Sequence, residues 1–163
     1  MRVYIVGVST SGKTTLAKRI ARKIGSKHYD LDDFFFKKKY YETRTQREIE
    51  KLVRQTINKK KWVIEGSYSG SRWVKWIAKK ADVFIWLDKP SHVIAWRIVK
   101  REFTRPKPHP KHSRIASTFG LLNFLRHYKT QYHAKTHRKL AKSHLRGYIL
   151  KTNRQIEEFL KKF

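Results

Sequence analysis

Residues 7–14 spell GVSTSGKT, and this pattern, G-x-x-x-x-G-K-[ST], constrains the fold of the chain more than any other segment. The apolar run RVYIVGV leads into the pattern, and a stretch with apolar residues at helical spacing follows it. In a strand–loop–helix unit of this kind, backbone N–H groups and the helix N-terminus face inward and bind an anion. The pattern therefore predicts a phosphate-binding loop between a first buried strand and a first helix.

The residue types within the pattern predict individual roles. Gly7 and Gly12 allow the loop to wrap closely around phosphate groups. Lys13 is expected to reach the β- and γ-phosphates, and the hydroxyl of Thr14 to bind Mg²⁺. We therefore expect ATP and Mg²⁺ as cofactors. The residues expected to bind the nucleotide are Gly7, Ser9, Thr10, Ser11, Gly12, Lys13, Thr14 and Thr15.

Short apolar runs alternate with amphipathic stretches along the chain. Five runs predict strands, at residues 2–8, 27–31, 61–66, 82–87 and 146–151. Helices are predicted at residues 13–24, 46–58, 71–80, 90 to about 103, 114 to about 142, and 155–162. Because strands and helices alternate and the strands are apolar throughout, the pattern predicts an α/β fold with a parallel sheet covered on both faces. The length of 163 residues fits one domain, residues 1–163.

Residues 105–113, RPKPHPKHS, contain three prolines, which exclude regular structure and predict a loop. Together with the helical stretch that follows, this loop predicts a mobile helical lid over residues 102–142, on the acceptor side of the site. Closure of such a lid brings basic groups onto the phosphates and excludes water.

The net charge of +28 is unusual, with 40 Lys and Arg against 12 Asp and Glu. Residues 103–156 contain thirteen Lys or Arg and no acid, so the positive charge is concentrated in the C-terminal half. Such a field attracts nucleotides, nucleic acid or an anionic membrane surface, unless it is simply a lysine-rich surface. Non-specific nucleic acid binding through the C-terminal half is one expectation that follows.

Cysteine is absent, which excludes a disulfide scaffold, a zinc–thiolate site and a cysteine nucleophile. No apolar run approaches ~18 residues, so no membrane span is expected. The N-terminus lacks the small-residue cleavage site of a signal peptide. We expect a cytoplasmic protein from these observations.

Two acids follow predicted strands at the edge where the phosphate loop also lies. Asp32 follows the second strand, and its carboxylate could bind or deprotonate an acceptor hydroxyl, or cap a helix or turn. Glu65 ends the third strand and could orient Mg²⁺ through water, or be an isolated surface acid. Gly66 allows the chain to turn sharply after Glu65.

Three arginines are candidates for binding phosphate. Arg97 and Arg101 are four residues apart, so they share one face of the predicted helix after the fourth strand. Phosphoryl transfer spreads negative charge over the transferred group, which arginines stabilise well, so both are candidate catalytic residues with Lys13 and Asp32. Arg72 lies on the helix after Glu65 and could bind an anionic group of the acceptor. Solvated helix charge is the alternative for Arg97 and Arg101.

With these residues placed, the chain resembles the small P-loop kinases of the adenylate-kinase-like group, and within it the DNA topology modulation (FlaR-type) family. The resemblance spans nearly the whole chain. The stretches that carry it are GVSTSGKTTLAKRIA, HYDLDDFF, KKWVIEGSYS, ADVFIWLDKP with WRIVKRE, and FLRHYKTQY. The family usually has Asp in place of Glu65 and Asn in place of Ser67.

The resemblance implies a three-layer P-loop NTPase fold with a five-stranded parallel sheet of order 2-3-1-4-5. It also implies ATP at the loop, an acceptor near Asp32, Glu65 and Arg72, and a lid with arginines such as Arg97 and Arg101. The function it implies is phosphoryl transfer from ATP to a nucleotide or nucleoside-like small molecule. A polynucleotide 5′-hydroxyl kinase and an ATP-responsive nucleic-acid-binding protein remain alternatives, which the basic C-terminal half would serve.

Overall fold

The computed structural model of the chain describes residues 1–38, 42–68, 71–104, 114–130, 132–144 and 146–163. The predicted proline-rich loop, residues 105–113, lies outside these residues. No helix among the residues that the structure describes is both long enough and apolar enough to cross a membrane.

Five parallel strands form the central sheet. They are β1 (Arg2–Gly7), β2 (His28–Asp30), β5 (Trp62–Glu65), β6 (Val83–Leu87) and β7 (Gly147–Leu150). Their spatial order is β2-β5-β1-β6-β7. The strand numbers differ from the expected 2-3-1-4-5 because the chain forms two further short strands, β3 (Phe36–Lys38) and β4 (Glu42–Thr43), before β5. The parallel five-stranded sheet itself is confirmed.

Eight helices are described. They are α1 (Lys13–Lys23), α2 (Leu31–Phe35), α3 (Gln46–Ile57), α4 (Arg72–Lys80), α5 (Ser91–Thr104), α6 (Arg114–Thr130), α7 (Tyr132–Ser143) and α8 (Asn153–Leu160). Capping residues fix two of the starts: Thr45 and Glu48 form a capping box at α3, and Thr152 and Gln155 form one at α8.

Alternate residues of the strands face two separate cores, which makes the fold three layers deep. On β1, Val3 and Ile5 face the core beneath α1 and α8. Tyr4 and Val6 face the other core, which α3, α4 and α7 cover. Both faces are apolar, which is why the strands show continuous apolar runs rather than alternation. The carboxyl ends of β1, β2 and β5 meet at one edge, where the sequence places the candidate site.

The antiparallel pair β3 (Phe36–Lys38) and β4 (Glu42–Thr43) was not predicted. These strands are short and their residues mostly exposed, so they show no apolar periodicity. The side chain of Arg44 stabilises the segment by donating to the carbonyl oxygens of Asp33, Phe34 and Phe36.

The stretch from residue 114 to about 142, which is predicted to be mostly helical, forms the two helices α6 and α7. The second half of α6 is fixed to the domain, since Leu125 and Tyr128 are buried against Val8, Ile94 and Ile98. On α7, Ala141 belongs to the core on the α3 and α4 face. A lid over all of residues 102–142 is not confirmed, because these anchored parts belong to the packed domain.

Candidate active site

The phosphate loop connects β1 directly to α1, as predicted. Its turn is closed by the Ser11 N–H, which donates to the Val8 carbonyl oxygen over 3.2 Å. Gly12 is the N-cap of α1, with φ of 99°, and no side chain caps the helix. The first turn of α1 also contains no acid. The N-terminal N–H groups of α1 are therefore available to a bound anion.

Gly7 is held by a serine that the sequence analysis did not single out as functional. The Gly7 N–H donates to Ser67 Oγ over 3.0 Å, and Ser67 Oγ donates to the Gly7 carbonyl oxygen over 2.8 Å. A Cβ at Gly7 would lie 2.8 Å from the Leu87 carbonyl oxygen and 2.8 Å from Ser11 Oγ. Only glycine fits at this position, so the loop depends on close approach of the neighbouring strand.

Lys13 lies across the mouth of the loop. Its Nζ donates to the Val8 carbonyl oxygen over 3.1 Å. Burial lowers the pKa of Lys13, and the charge of Arg101 acts in the same direction, while the carboxylates of Glu65, Asp30 and Asp32 oppose the shift. These charges are thus close enough to Lys13 to influence its pKa, which agrees with a shared site for the predicted acids and the predicted arginine.

Glu65 is not a surface acid, because its side chain is only 2% exposed. Its Oε1 accepts a hydrogen bond of 2.6 Å from the Thr14 hydroxyl and lies 3.6 Å from His28 Nε2. Burial alone would raise the pKa of Glu65, but His28, Thr14 and Lys13 together outweigh burial and lower it. The carboxylate is therefore charged at neutral pH, beside the hydroxyl that the motif assigns to a cation.

This hydroxyl and carboxylate fit Mg²⁺, which in kinases binds through one or two protein oxygens together with phosphate oxygens and water. A closed metal centre made of protein side chains is a different arrangement. Among the residues that the structure describes, no group of three or more His, Cys, Asp or Glu is placed to hold a metal ion. Thr14 and Glu65 are thus suited to a metal ion that is bound jointly with nucleotide phosphates.

Asp32 lies in the first turn of α2, and it is Asp30 that caps this helix by accepting from the Asp32 N–H over 3.0 Å. The alternative of Asp32 as a helix cap is therefore wrong. Its Oδ1 accepts a 2.8 Å hydrogen bond from the Tyr68 hydroxyl. Tyr68 was missed from the sequence because it is 36 residues away in the chain and no motif pairs the two.

Arg97 and Arg101 project from α5 onto the phosphate loop, as their spacing predicts. Arg97 Nη1 donates to the carbonyl oxygens of Thr10 and Ser11, each over 3.4 Å. Arg101 Nη1 donates to Ser9 Oγ over 3.3 Å. Both guanidinium groups therefore contact the phosphate loop itself.

The other residues predicted for the site are Thr10, Thr15 and Arg72. Thr10 adopts a positive φ of 62°, which is unusual for a residue other than glycine and marks the sharpest part of the loop. Thr15 is exposed in the first turn of α1, and Arg72 is exposed at the start of α4. A position near the acceptor site remains a prediction for Arg72.

Lys89, another residue that sequence reasoning missed, is buried between β6 and α5. Its Nζ donates to Asn153 Oδ1 over 2.6 Å, which links this connection to the start of α8. Burial lowers the pKa of Lys89, and Arg97 lowers it further. A lysine next to a proline carries no sequence signal for burial, so only the fold reveals this contact.

The sheet, the loop and the convergence of lysine, threonine, acids and arginines define the class of the small P-loop kinases. The chain belongs to the AAA domain family (AAA_17), whose model matches residues 6–115. This match begins within β1 and includes the phosphate loop, Asp32, Glu65, Arg97 and Arg101.

Curated relatives match this chain over part of their own length. A cytidylate kinase of Pyrococcus horikoshii is 33% identical over 117 residues, covering 61% of this chain and 57% of that protein. A cytidylate kinase of Archaeoglobus fulgidus is 33% identical over 119 residues, covering 63% and 62%. The uncharacterized protein YqaC of Bacillus subtilis is 29% identical over 105 residues, covering 63% and 57%. The chain thus spans about three fifths of the length of the relatives it matches.

Solved structures of kinases share the fold. A shikimate kinase from Bacteroides thetaiotaomicron superposes with a TM-score of 0.62 at 16% identity, covering 99% of this chain and 95% of that one. A shikimate kinase from Acinetobacter baumannii in complex with shikimate gives a TM-score of 0.59 at 17% identity, covering 99% and 89%. At this identity the likeness concerns the fold alone.

Proposed function

We propose that the chain transfers the γ-phosphoryl group of ATP to a nucleotide or nucleoside-like small acceptor. One observation carries the proposal: an acid and two arginines contact the phosphate loop beside Lys13. Glu65 accepts from the Thr14 hydroxyl over 2.6 Å, and Arg97 and Arg101 donate to the loop residues Thr10, Ser11 and Ser9. The charge of Asp32 acts to raise the pKa of Lys13. A site that only bound a nucleotide would not require a second acid beside the acceptor edge. The kinase folds of the solved neighbours support the same reaction class.

The chain's own residues would hold ATP and Mg²⁺ in the manner of other phosphate loops. The backbone of residues 7–15 and the N-terminus of α1 bind the phosphates, and Lys13 approaches the transferred group. Thr14 and Glu65 are the residues that would hold Mg²⁺, which neutralises phosphate charge when bound. Ser67 keeps this loop in place through its two hydrogen bonds to Gly7.

Asp32 and the two arginines have complementary tasks. In the transfer, an acceptor oxygen forms a bond to the γ-phosphorus while the bond from that phosphorus to the β–γ bridging oxygen breaks, which releases ADP. If the acceptor is a hydroxyl, Asp32 accepts its proton, and the Tyr68 hydroxyl orients the carboxylate. Arg97 and Arg101 stabilise the charge that develops on the transferred group.

Two classes of acceptor, a phosphate and a hydroxyl, have support from the comparisons. The cytidylate kinases among the relatives favour CMP, whose phosphate is already nucleophilic and needs no base. The shikimate complex among the structural neighbours favours a hydroxyl acceptor, for which Asp32 is the expected base. In both forms Arg72 and Glu65 contribute to the acceptor site, and a segment within residues 102–142 closes over it. The narrower assignment to the DNA topology modulation (FlaR-type) family is part of this proposal.

The test is a screen for transfer from γ-labelled ATP to CMP, other nucleoside monophosphates, nucleosides, shikimate and a 5′-hydroxyl oligonucleotide. We expect transfer to one class of small acceptor and its loss in Lys13→Ala. Asp32→Asn distinguishes the two forms, because it abolishes transfer to a hydroxyl but leaves transfer to a phosphate largely intact. Release of label only as inorganic phosphate, with no acceptor labelled, would contradict the proposal.

The polynucleotide alternative has support from the surface. Trp96 on α5 is 67% exposed and Phe119 on α6 is 69% exposed. On α5, His92 and Lys100 lie one turn to either side of Trp96 and are exposed as well. Aromatic rings beside cations are suited to stacked bases and phosphates. Phe124 and Tyr128 lie four residues apart on α6, but Tyr128 is buried and bonded to His137, so it is not available for stacking.

A further inference from the structure

His28 lies on β2, at the edge of the sheet, and neither the phosphate-loop motif nor the proposed transfer gives it a role. β2 pairs in parallel with β5, and the register places His28 opposite Val63. Val63 faces the core beneath α1, and Glu65, two residues further along β5, points to the same side of the sheet. His28 therefore lies on the side of the sheet where Glu65 meets Thr14 of α1.

The Nε2 atom of His28 is a buried polar atom aimed at this carboxylate. It lies 3.6 Å from Glu65 Oε1, and within the part of the chain that the structure describes it has no hydrogen-bond partner. Buried polar atoms in native proteins are nearly always hydrogen-bonded, because an unpaired one loses its hydration without replacement. An approach of about 0.5 Å would give Nε2 and Glu65 Oε1 an ordinary hydrogen-bond length.

The ring nitrogen that faces Glu65 is a donor. A charged carboxylate can only accept hydrogen bonds. It therefore favours a proton on the nearest ring nitrogen, and Nε2 carries one both in the neutral ring with this tautomer and in the doubly protonated ring. His28 can thus donate to Glu65 in either charge state.

The direction of the Thr14 hydroxyl depends on where the Glu65 carboxylate is held. A threonine hydroxyl has one proton and two lone pairs. The proton is donated to Glu65 Oε1 over 2.6 Å, which leaves the lone pairs of the exposed Thr14 side chain for a cation. A carboxylate contacted from both α1 and β2 is restricted more than one held by Thr14 alone, and such outer contacts commonly orient the residues around a metal ion.

We propose that His28 is a positioning residue for Mg²⁺. Its Nε2–H holds the Glu65 carboxylate in the orientation that accepts the Thr14 proton, so that the Thr14 oxygen is directed at the cation. His28 acts through Glu65 and not by direct contact with ATP. The inference rests on the proposed function for the presence of ATP and Mg²⁺ at the loop. It goes further by assigning a part in metal binding to a residue outside the motif.

The test compares binding of the non-hydrolysable analogue AMP-PNP in EDTA and in Mg²⁺ by isothermal titration calorimetry. The measured quantity is the factor by which Mg²⁺ tightens binding. His28→Leu should reduce this factor about three- to tenfold, since one hydrogen bond to the carboxylate is lost, and leave binding in EDTA unchanged. His28→Gln, which keeps an N–H donor, should restore most of the factor.

Tyr29→Phe is the matched control. Tyr29 is the next residue on β2, but it packs against the core on the other face of the sheet, and its hydroxyl accepts from Lys59 Nζ over 2.9 Å. This variant therefore loses a polar contact of the same strand that does not face Glu65. Near-ultraviolet circular dichroism establishes that each variant keeps its packed aromatic side chains.

The outcomes separate the inference from the proposed function. An unchanged factor in His28→Leu, an equal reduction in His28→Gln or Tyr29→Phe, or an equal weakening in EDTA and in Mg²⁺ would overturn the inference and leave the proposed function intact. No binding of the analogue by the wild type would overturn the proposed function, and the inference with it.

A second measurement uses the wild type alone, so it does not depend on the folding of a variant. Long-range proton–nitrogen NMR of the histidine rings shows which ring nitrogen is protonated. We expect a proton on His28 Nε2 at neutral and at mildly alkaline pH, with and without Mg²⁺ and AMP-PNP. A neutral ring with its proton on Nδ1 would overturn the inference, because Nε2 could then donate nothing to Glu65.

Discussion

Replacement of Gly66 by alanine should destabilise the fold at the point where the candidate site is built. Gly66 has φ of 141°, a conformation that L side chains rarely adopt. A Cβ there would lie 2.7 Å from Leu31 Cβ and 2.9 Å from Leu31 Cγ. These separations are shorter than van der Waals contact, so either Leu31 or the Gly66 backbone must move.

The surroundings resist that movement. Leu31 is fully buried in the core beneath α3 and α4, and the Gly66 carbonyl oxygen accepts the Tyr4 hydroxyl. Backbone strain costs about 1–3 kcal/mol and overpacking of a core about 1–3 kcal/mol, so Gly66→Ala should cost about 2–6 kcal/mol. For a domain of this size, a loss of about 3 kcal/mol lowers Tm by roughly 6–12 °C.

Urea denaturation followed by far-ultraviolet circular dichroism measures the effect, with two alanine variants as controls. Gly25 has φ of 59° with no atom within 4 Å of a Cβ, so Gly25→Ala should cost only the backbone term, about 1–2 kcal/mol. Gly120 lies within α6 with the same open space, so Gly120→Ala should stabilise by about 0.5–1 kcal/mol. The reasoning is refuted if Gly66→Ala costs no more than Gly25→Ala.

Three further predictions concern the site and the surface. Lys13→Ala should remove most of the thermal stabilisation by ATP and Mg²⁺, which is about 2.7 kcal/mol at 100 times the dissociation constant; an unaltered shift in differential scanning fluorimetry would contradict the phosphate-loop assignment. The folded-state pKa of Glu65 lies below its ordinary 4.5, so its carboxylate stabilises the fold above that pH, and this contribution is lost as the pH falls through the lower folded value. Denaturant titrations from neutral pH down to below 4.5 should therefore show a shallower loss of stability in Glu65→Gln than in the wild type, and identical acid profiles would count against the pairing with His28 and Thr14. If the basic C-terminal half binds polynucleotide, four to six engaged phosphates give a slope of log affinity against log salt of roughly −3 to −5; an oligonucleotide titration with a slope near −1 would assign the charge to nucleotides or solubility.

The sequence predicts those structural elements whose pattern lies within one short stretch of the chain. The loop motif identifies the nucleotide site because its glycines, Lys13 and Thr14 are contiguous. Apolar runs identify β1, β5 and β6 most clearly, since their residues are almost all buried. The four-residue spacing of Arg97 and Arg101 is also local, and both reach the loop as expected.

Features that depend on contacts between residues far apart in the sequence could not be predicted from such short patterns. The hydrogen bond between Tyr68 and Asp32, the two bonds of Ser67 to Gly7 and the buried Lys89 each join residues that are 36 or more positions apart. The role of Asp30 as the cap of α2 was missed because a strand and a helix meet there without a linking turn.

The most direct test of phosphoryl transfer is a phosphorus NMR time course of the protein with ATP, Mg²⁺, CMP and shikimate. The account predicts that loss of the γ-phosphate signal is matched by equal growth of ADP and of one phosphorylated acceptor, and that Lys13→Ala shows neither. Conversion of ATP to ADP and inorganic phosphate alone, or no conversion in the wild type, would contradict a kinase acting on small acceptors of these two classes.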